Sequence, residues 1–109
     1  MSTVDPASVI TAVVAPSTIW KYTIPVTDAV DVEMPEGAVL LTTVMMPMSA
    51  AINVWAMVNP SAPPVRRRIL VVGTGNPLPQ RRGDYLGTTT DGMLVWHVFD
   101  GHEQPEEQA

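Results

Sequence analysis

Hydrophobic and polar positions alternate with period two in run after run between residues 18 and 100, and each run is closed by Pro, Gly, Asn or Asp. That period puts successive side chains on opposite faces of a sheet, so the pattern predicts short β-strands joined by turns. From Thr18 onward, Trp20, Tyr22, Ile24 and Val26 share one face and Lys21 and Thr23 the other, a half-buried strand. Ala29 to Met34 sets Val30, Val32 and Met34 against Asp31 and Glu33, as an exposed or edge strand does. Pro35-Glu36-Gly37 supplies a turn. Ala38 to Met46 is apolar on both parities, which predicts a strand covered on both sides. Ala50 to Val58 places Ile52, Val54, Ala56 and Val58 opposite Asn53, Trp55 and Met57.

Pro60, Pro63 and Pro64 each lack a backbone donor, so residues 59 to 64 read as a stiff connection. In the following strand, Val65 to Gly73, Arg66 and Arg68 share a face with Leu70 and Val72, while Arg67 joins Ile69 and Val71. The expectation is an exposed first half and a buried second half. Residues 74 to 83 form the longest irregular stretch, the first place to look for a functional loop. Tyr85 to Thr90 and Met93 to Phe99 then flank Asp91-Gly92, a strong hairpin signal because both residues tolerate positive φ. The second of these strands is nearly apolar on both faces and belongs in a sheet interior. Short strands at regular spacing with turns between them predict an all-β fold of about seven strands, a two-sheet antiparallel β-sandwich with a C-terminal hairpin.

Two extensions flank this β domain of residues 18–100. Residues 1–17 form an apolar arm charged only at Asp5 and punctuated by Pro6 and Pro16. Ser8 is placed to cap a short helix over Val9 to Ala15, whereas the β-branched run through Val9, Ile10, Thr11, Val13 and Val14 argues for an extended arm. Such an arm packs either on its own domain or on a neighbouring subunit. Residues 101–109 are polar and acidic and read as a solvated tail.

Composition narrows the chemistry. A hydrophobic fraction of 46% supports a single globular domain. The absence of cysteine excludes disulfides, thiolate metal sites and a cysteine nucleophile. A net charge of -5 argues against nucleic acid as the main partner. No apolar run approaches the ~20 residues of a membrane-spanning helix. The first residues also lack the pattern of a signal peptide, so a soluble, non-secreted protein is the expectation.

Few residues invite catalysis. His97 sits in the most apolar strand, yet general-base chemistry needs a partner in reach, and Asp84, Asp91 and Asp100 are only sequence neighbours; a hydrogen-bonded core histidine is the simpler expectation. His97 and His102 alone make a weak metal set. Gly73-Thr74-Gly75-Asn76-Pro77 lacks the third glycine, the Gly-Lys-Ser/Thr and the helix start of a phosphate loop, and reads as a turn at a strand end. The methionines Met45, Met46, Met48 and Met57 fit core filling, with an adaptable binding surface as the alternative. No cofactor is expected. The candidate interaction residues are Arg66, Arg67, Arg68, Arg81 and Arg82, which would gather if the 74–83 loop folds beside its strand and would bind phosphate, an acidic partner or the acidic tail of another copy. A solvated strand end with edge protection is the plainer account of them.

The segments WKYTIPV, EMPEGA, NVWAMVNPSAP, VVGTGNPLP and YLGTTTDGMLVWHVF resemble a family of small bacteriophage and prophage proteins with a domain of unknown function, many from phages of actinobacteria. The likeness covers roughly residues 18 to 100 and brings no activity or site residue with it. It implies a phage origin. The expected function is non-enzymatic and acts through protein contacts, as a self-associating virion or capsid-surface component. The alternative is a cytoplasmic accessory protein that binds a host protein or small ligand during infection through the 74–83 loop.

Overall fold

The computed structural model describes residues 15–46 and 50–105. Seven strands appear in chain order: β1 (Thr18–Pro25), β2 (Ala29–Pro35), β3 (Val39–Met45), β4 (Ala51–Val58), β5 (Pro64–Gly73), β6 (Asp84–Thr90) and β7 (Val95–Glu103). They form two antiparallel sheets, one of three strands in the order β1-β4-β3 and one of four in the order β2-β5-β7-β6. The all-β two-sheet fold expected from the alternation is therefore present. β2 lies at a sheet edge and β7 in a sheet interior, both as the pattern predicts.

The core sits between the sheets. From the three-stranded sheet come Ile24, Met45, Ile52 and Val54, and from the four-stranded sheet Ile69, Val71 and Val98. A second cluster, Met34, Ala38, Ala56 and Val58, closes one end. Each large aliphatic buried here contributes about 1.5–3 kcal/mol relative to an exposed position. The sheets also meet along β3 and β6, where the Met45 N–H donates to Thr89 Oγ1 at 2.6 Å in a buried site.

β5 and β6 flank β7 in parallel, so residues 74–83 cannot be a hairpin and must cross over β7. The crossover starts in a tight turn closed by the Asn76 N–H on Gly73 O at 3.0 Å, with Gly75 at φ 92°. The turn expected at Gly73-Thr74-Gly75-Asn76 is thus present. The loop then folds onto the sheet, where Asn76, Pro77, Leu78 and Pro79 line one cavity with Asp28 and Val72.

Several local expectations are corrected. β7 begins at Val95, not Met93, and Met93 and Leu94 are exposed. A two-residue turn would need positive φ at both Asp91 and Gly92, but only Gly92 adopts it, at 100°. The Asp91 carboxylate instead accepts the N–H groups of Met93 and Leu94, both at 2.8 Å, and holds a longer loop. β7 also runs past Asp100 to Glu103, through a bulge at Gly101 and His102, with His102 at φ 72°. Residues 101–105 are consequently tied to the sheet, since the Gln104 N–H donates to Arg66 O at 2.8 Å. Only residues 106–109 of the expected tail lie outside the described residues.

Candidate functional site

The period-two geometry of β5 sends its three arginines to opposite faces. Arg66 and Arg68 project from the outer face of the four-stranded sheet, where the β2 register sets Arg68 opposite Asp31. The Asp31 carboxylate clamps both: Arg68 Nε donates at 2.8 Å and Nη2 at 3.1 Å, and Arg66 Nη1 donates at 3.2 Å. The Arg68 hydrogen bond, with the charges of both arginines, outweighs the opposing effect of burial and holds the Asp31 carboxyl below the usual carboxylate range. Arg66 Nη2 also donates to Pro105 O at 2.6 Å.

Arg67 points the other way, between the sheets, and is only 8% exposed. Its guanidinium forks onto Asp100, Nε to Oδ1 at 2.9 Å and Nη2 to Oδ2 at 2.6 Å, while Nη1 donates to Ala38 O at 2.7 Å. Burial pushes the Asp100 carboxyl up, but the Arg67 fork and the His102 N–H together carry it below the usual range. The expected exposed first half of β5 is corrected accordingly, and its interior position in the sheet removes edge protection as the arginines' role. Arg81 and Arg82 are exposed on the crossover; Arg82 Nη1 donates to Pro79 O at 3.4 Å. The five arginines therefore divide into an Asp31-bound pair, one buried ion-pair member and two solvated loop residues.

These two depressed carboxyls set an acid limb of stability. A carboxyl whose folded pKa lies below its unfolded value of about 3.9 contributes stability that is present above that value and lost as pH falls through the folded pKa. Urea midpoints of the wild type are expected to fall below about pH 4. The gap between wild type and Asp100→Asn is expected to narrow there, and a gap independent of pH would contradict the ion pair.

His97 lies half-buried on the outer face of the four-stranded sheet, with Thr88 Oγ1 at 2.9 Å from Nδ1 and Thr74 Oγ1 at 2.8 Å from Nε2. It is a hydrogen-bonded sheet residue whose two ring nitrogens both meet hydroxyls. The three aspartates of this region are engaged elsewhere: Asp84 with His102 at 2.6 Å, Asp91 in its turn and Asp100 with Arg67. Among the described residues no group of three or more His, Cys, Asp or Glu is placed to hold a metal ion, and no helix is long and apolar enough to cross a membrane. An apolar cavity at one end of the sandwich is lined by Val26, Met45, Ala50, Met93, Leu94 and Trp96, and its acidic member, Asp91, is spent on its turn.

The outer face of the three-stranded sheet is different. Register aligns three cross-strand rows on it: Ile19–Met57–Val39, Lys21–Trp55–Thr42 and Thr23–Asn53–Val44. The first row is wholly apolar, and Ile19 and Val39 are 56% and 44% exposed, with Val44 at 47%. Leu41, extruded by the bulge between Leu40 and Thr42, adds to the same sheet's exposed apolar surface, as does Met46 just beyond β3. The expectation that Ala38 to Met46 is covered on both sides thus fails on one side: Leu40, Thr43 and Met45 turn inward, and the other row is open. Met45 fills the core as expected, Met57 is half-buried on the open face, and Met48 lies outside the described residues. The sequence signal for this face is the apolar run on both parities, which predicts burial on both sides. Exposed apolar residues grouped on one sheet face, with no covering layer among the described residues, are what mark interaction surfaces on small domains.

A family model described as Domain of unknown function (DUF7352) matches residues 16–109. No curated protein and no solved structure matches the chain.

Proposed function

The chain belongs to the DUF7352 family, and we propose that it is a non-enzymatic, self-associating component of a bacteriophage particle that acts through the open face of its three-stranded sheet. The observation that carries the self-association is the exposed Ile19–Met57–Val39 row with Trp55 beside it. Apolar area left in water on one face is removed most simply by another copy, because the surface is present on every chain and a symmetric contact uses it twice. Support for the phage setting is the sequence resemblance over residues 18 to 100. The arginines contribute less to this reading than expected, since Arg67 is buried and Arg66 and Arg68 are already paired with Asp31.

The full chain is expected to sediment as an oligomer, and Ile19→Glu or Val39→Glu to sediment as a monomer with a near-wild-type melting temperature, because both positions are exposed in the single domain. A monomeric wild type, or charged variants of unchanged mass, would contradict the open face as the contact. Tryptic peptides of the chain are expected in mass spectra of purified particles. Their absence from particles of a phage that expresses the protein would remove the virion role.

A further inference from the structure

Resting on the self-association just described, we propose that the open face of the three-stranded sheet is covered by residues 1–14 of a second copy of this chain. Four observations converge on that occupant. The apolar row Ile19–Met57–Val39 lies at the end of the sheet where the arm enters, and Pro16, Ser17 and Thr18 line a surface cavity together with Ile19 and Met57. Beyond that end the face mixes polar Lys21, Thr42, Thr23 and Asn53 with Trp55 and the exposed Val44.

The arm matches the face in kind. Val9 to Val14 is apolar on both parities apart from Thr11, so an extended strand of this sequence needs cover. Asp5 is its one charge, and Lys21, the chain's one lysine, stands on the open face with no ion-pair partner among the described residues.

Direction favours a neighbouring copy over the chain's own sheet. The β1 ladder continues one step beyond the strand, with the Ser17 N–H donating to Val58 O at 2.9 Å, so the chain still runs along the strand axis as it leaves the sheet. Covering its own face requires a sharp reversal at Ala15 and Pro16. Proline fixes its own φ near -65° and keeps the preceding residue out of the helical region, which disfavours such a reversal.

Area favours an arm over bare face-to-face stacking. Three strands about 4.8 Å apart and roughly 26 Å long present a plan area of roughly 400 Å². A stable interface buries about 800 Å² per partner. Fourteen extended residues reach roughly 46 Å, enough to cross a neighbour's face along its strands, and reciprocal exchange doubles the contact.

The absence of cysteine makes cross-linking unambiguous. Val9→Cys in one tagged full-length chain and Val39→Cys in an untagged one are mixed under mild oxidation. A disulfide-linked heterodimer is expected, and a much weaker one when Val39→Cys is replaced by Glu33→Cys on the exposed outer face of the other sheet. The double variant Val9→Cys/Val39→Cys is expected to form interchain species. An intrachain-linked monomer as its sole product overturns the exchange. An oligomeric wild type whose mass survives deletion of residues 1–14, with no heterodimer from the mixture, overturns the arm and leaves self-association standing. A monomeric wild type overturns both.

Discussion

Arg67→Ala is expected to destabilise the fold by about 3–5 kcal/mol, because it breaks a buried ion pair from one side and leaves the other charge behind. Against a typical domain stability of about 5–15 kcal/mol, that is a large fraction of the whole. The Arg67 and Asp100 side chains are only 10% and 14% exposed, so water cannot replace the lost fork. Ala38 O loses its Nη1 donor in the same buried site. The Glu103 carboxylate, 3.8 Å from Nη1, loses a neighbouring positive charge. Urea denaturation followed by tryptophan fluorescence measures the loss. The double variant Arg67→Met/Asp100→Leu is expected to recover much of it, since replacing both charges by apolar groups removes the stranded one. Recovery stays incomplete because Asp100 Oδ1 also accepts the His102 N–H at 2.8 Å. A double variant no better than Arg67→Ala would mean that the cost lies in packing and not in unpaired charge.

Gly83→Ala is expected to cost about 2–6 kcal/mol, the sum of a left-handed backbone forced on an L side chain and a clash that cannot relax. Gly83 has φ 73°, and a Cβ built on it falls 2.0 Å from Asp100 O and 2.9 Å from Gly101 Cα. Both neighbours are backbone, held by the pairing of Asp84 with Asp100 and by the Arg67 fork. Neither can move without opening β7. Gly92 is the matched control, at φ 100° with nothing within 4 Å of its Cβ, and Gly92→Ala is expected to lose only the backbone share, about 1–3 kcal/mol. Denaturation midpoints for the two variants separate backbone strain from contact. Equal losses would show that the approach of Gly83 to Asp100 carries no weight.

The two large effects share Asp100, and neither was visible along the chain. Arg67 read as the middle of a basic triplet, one of five candidate interaction residues. Its parity with Ile69 and Val71 was legible, and that parity is what buries it, but no local pattern supplies Asp100 as the partner across the β5–β7 register. Gly83 read as the end of a loop. Its constraint appears only when the crossover brings it against β7, a contact between residues 17 positions apart.

The sequence by itself determined the seven strands, the edge place of β2, the interior place of β7 and the turns at Gly37 and Gly75. Those are consequences of side-chain direction and backbone φ preference, which act within a few residues. Tertiary structure alone decided which apolar row of β3 is buried, where Arg67 finds its charge partner and how the 74–83 segment crosses β7. Alternation says that a strand has two faces and how apolar each one is, whereas burial depends on what stacks against the face. In β3 both rows are apolar and a second sheet covers only one of them, so Val39 and Val44 are left exposed beside Ile19, Trp55 and Met57.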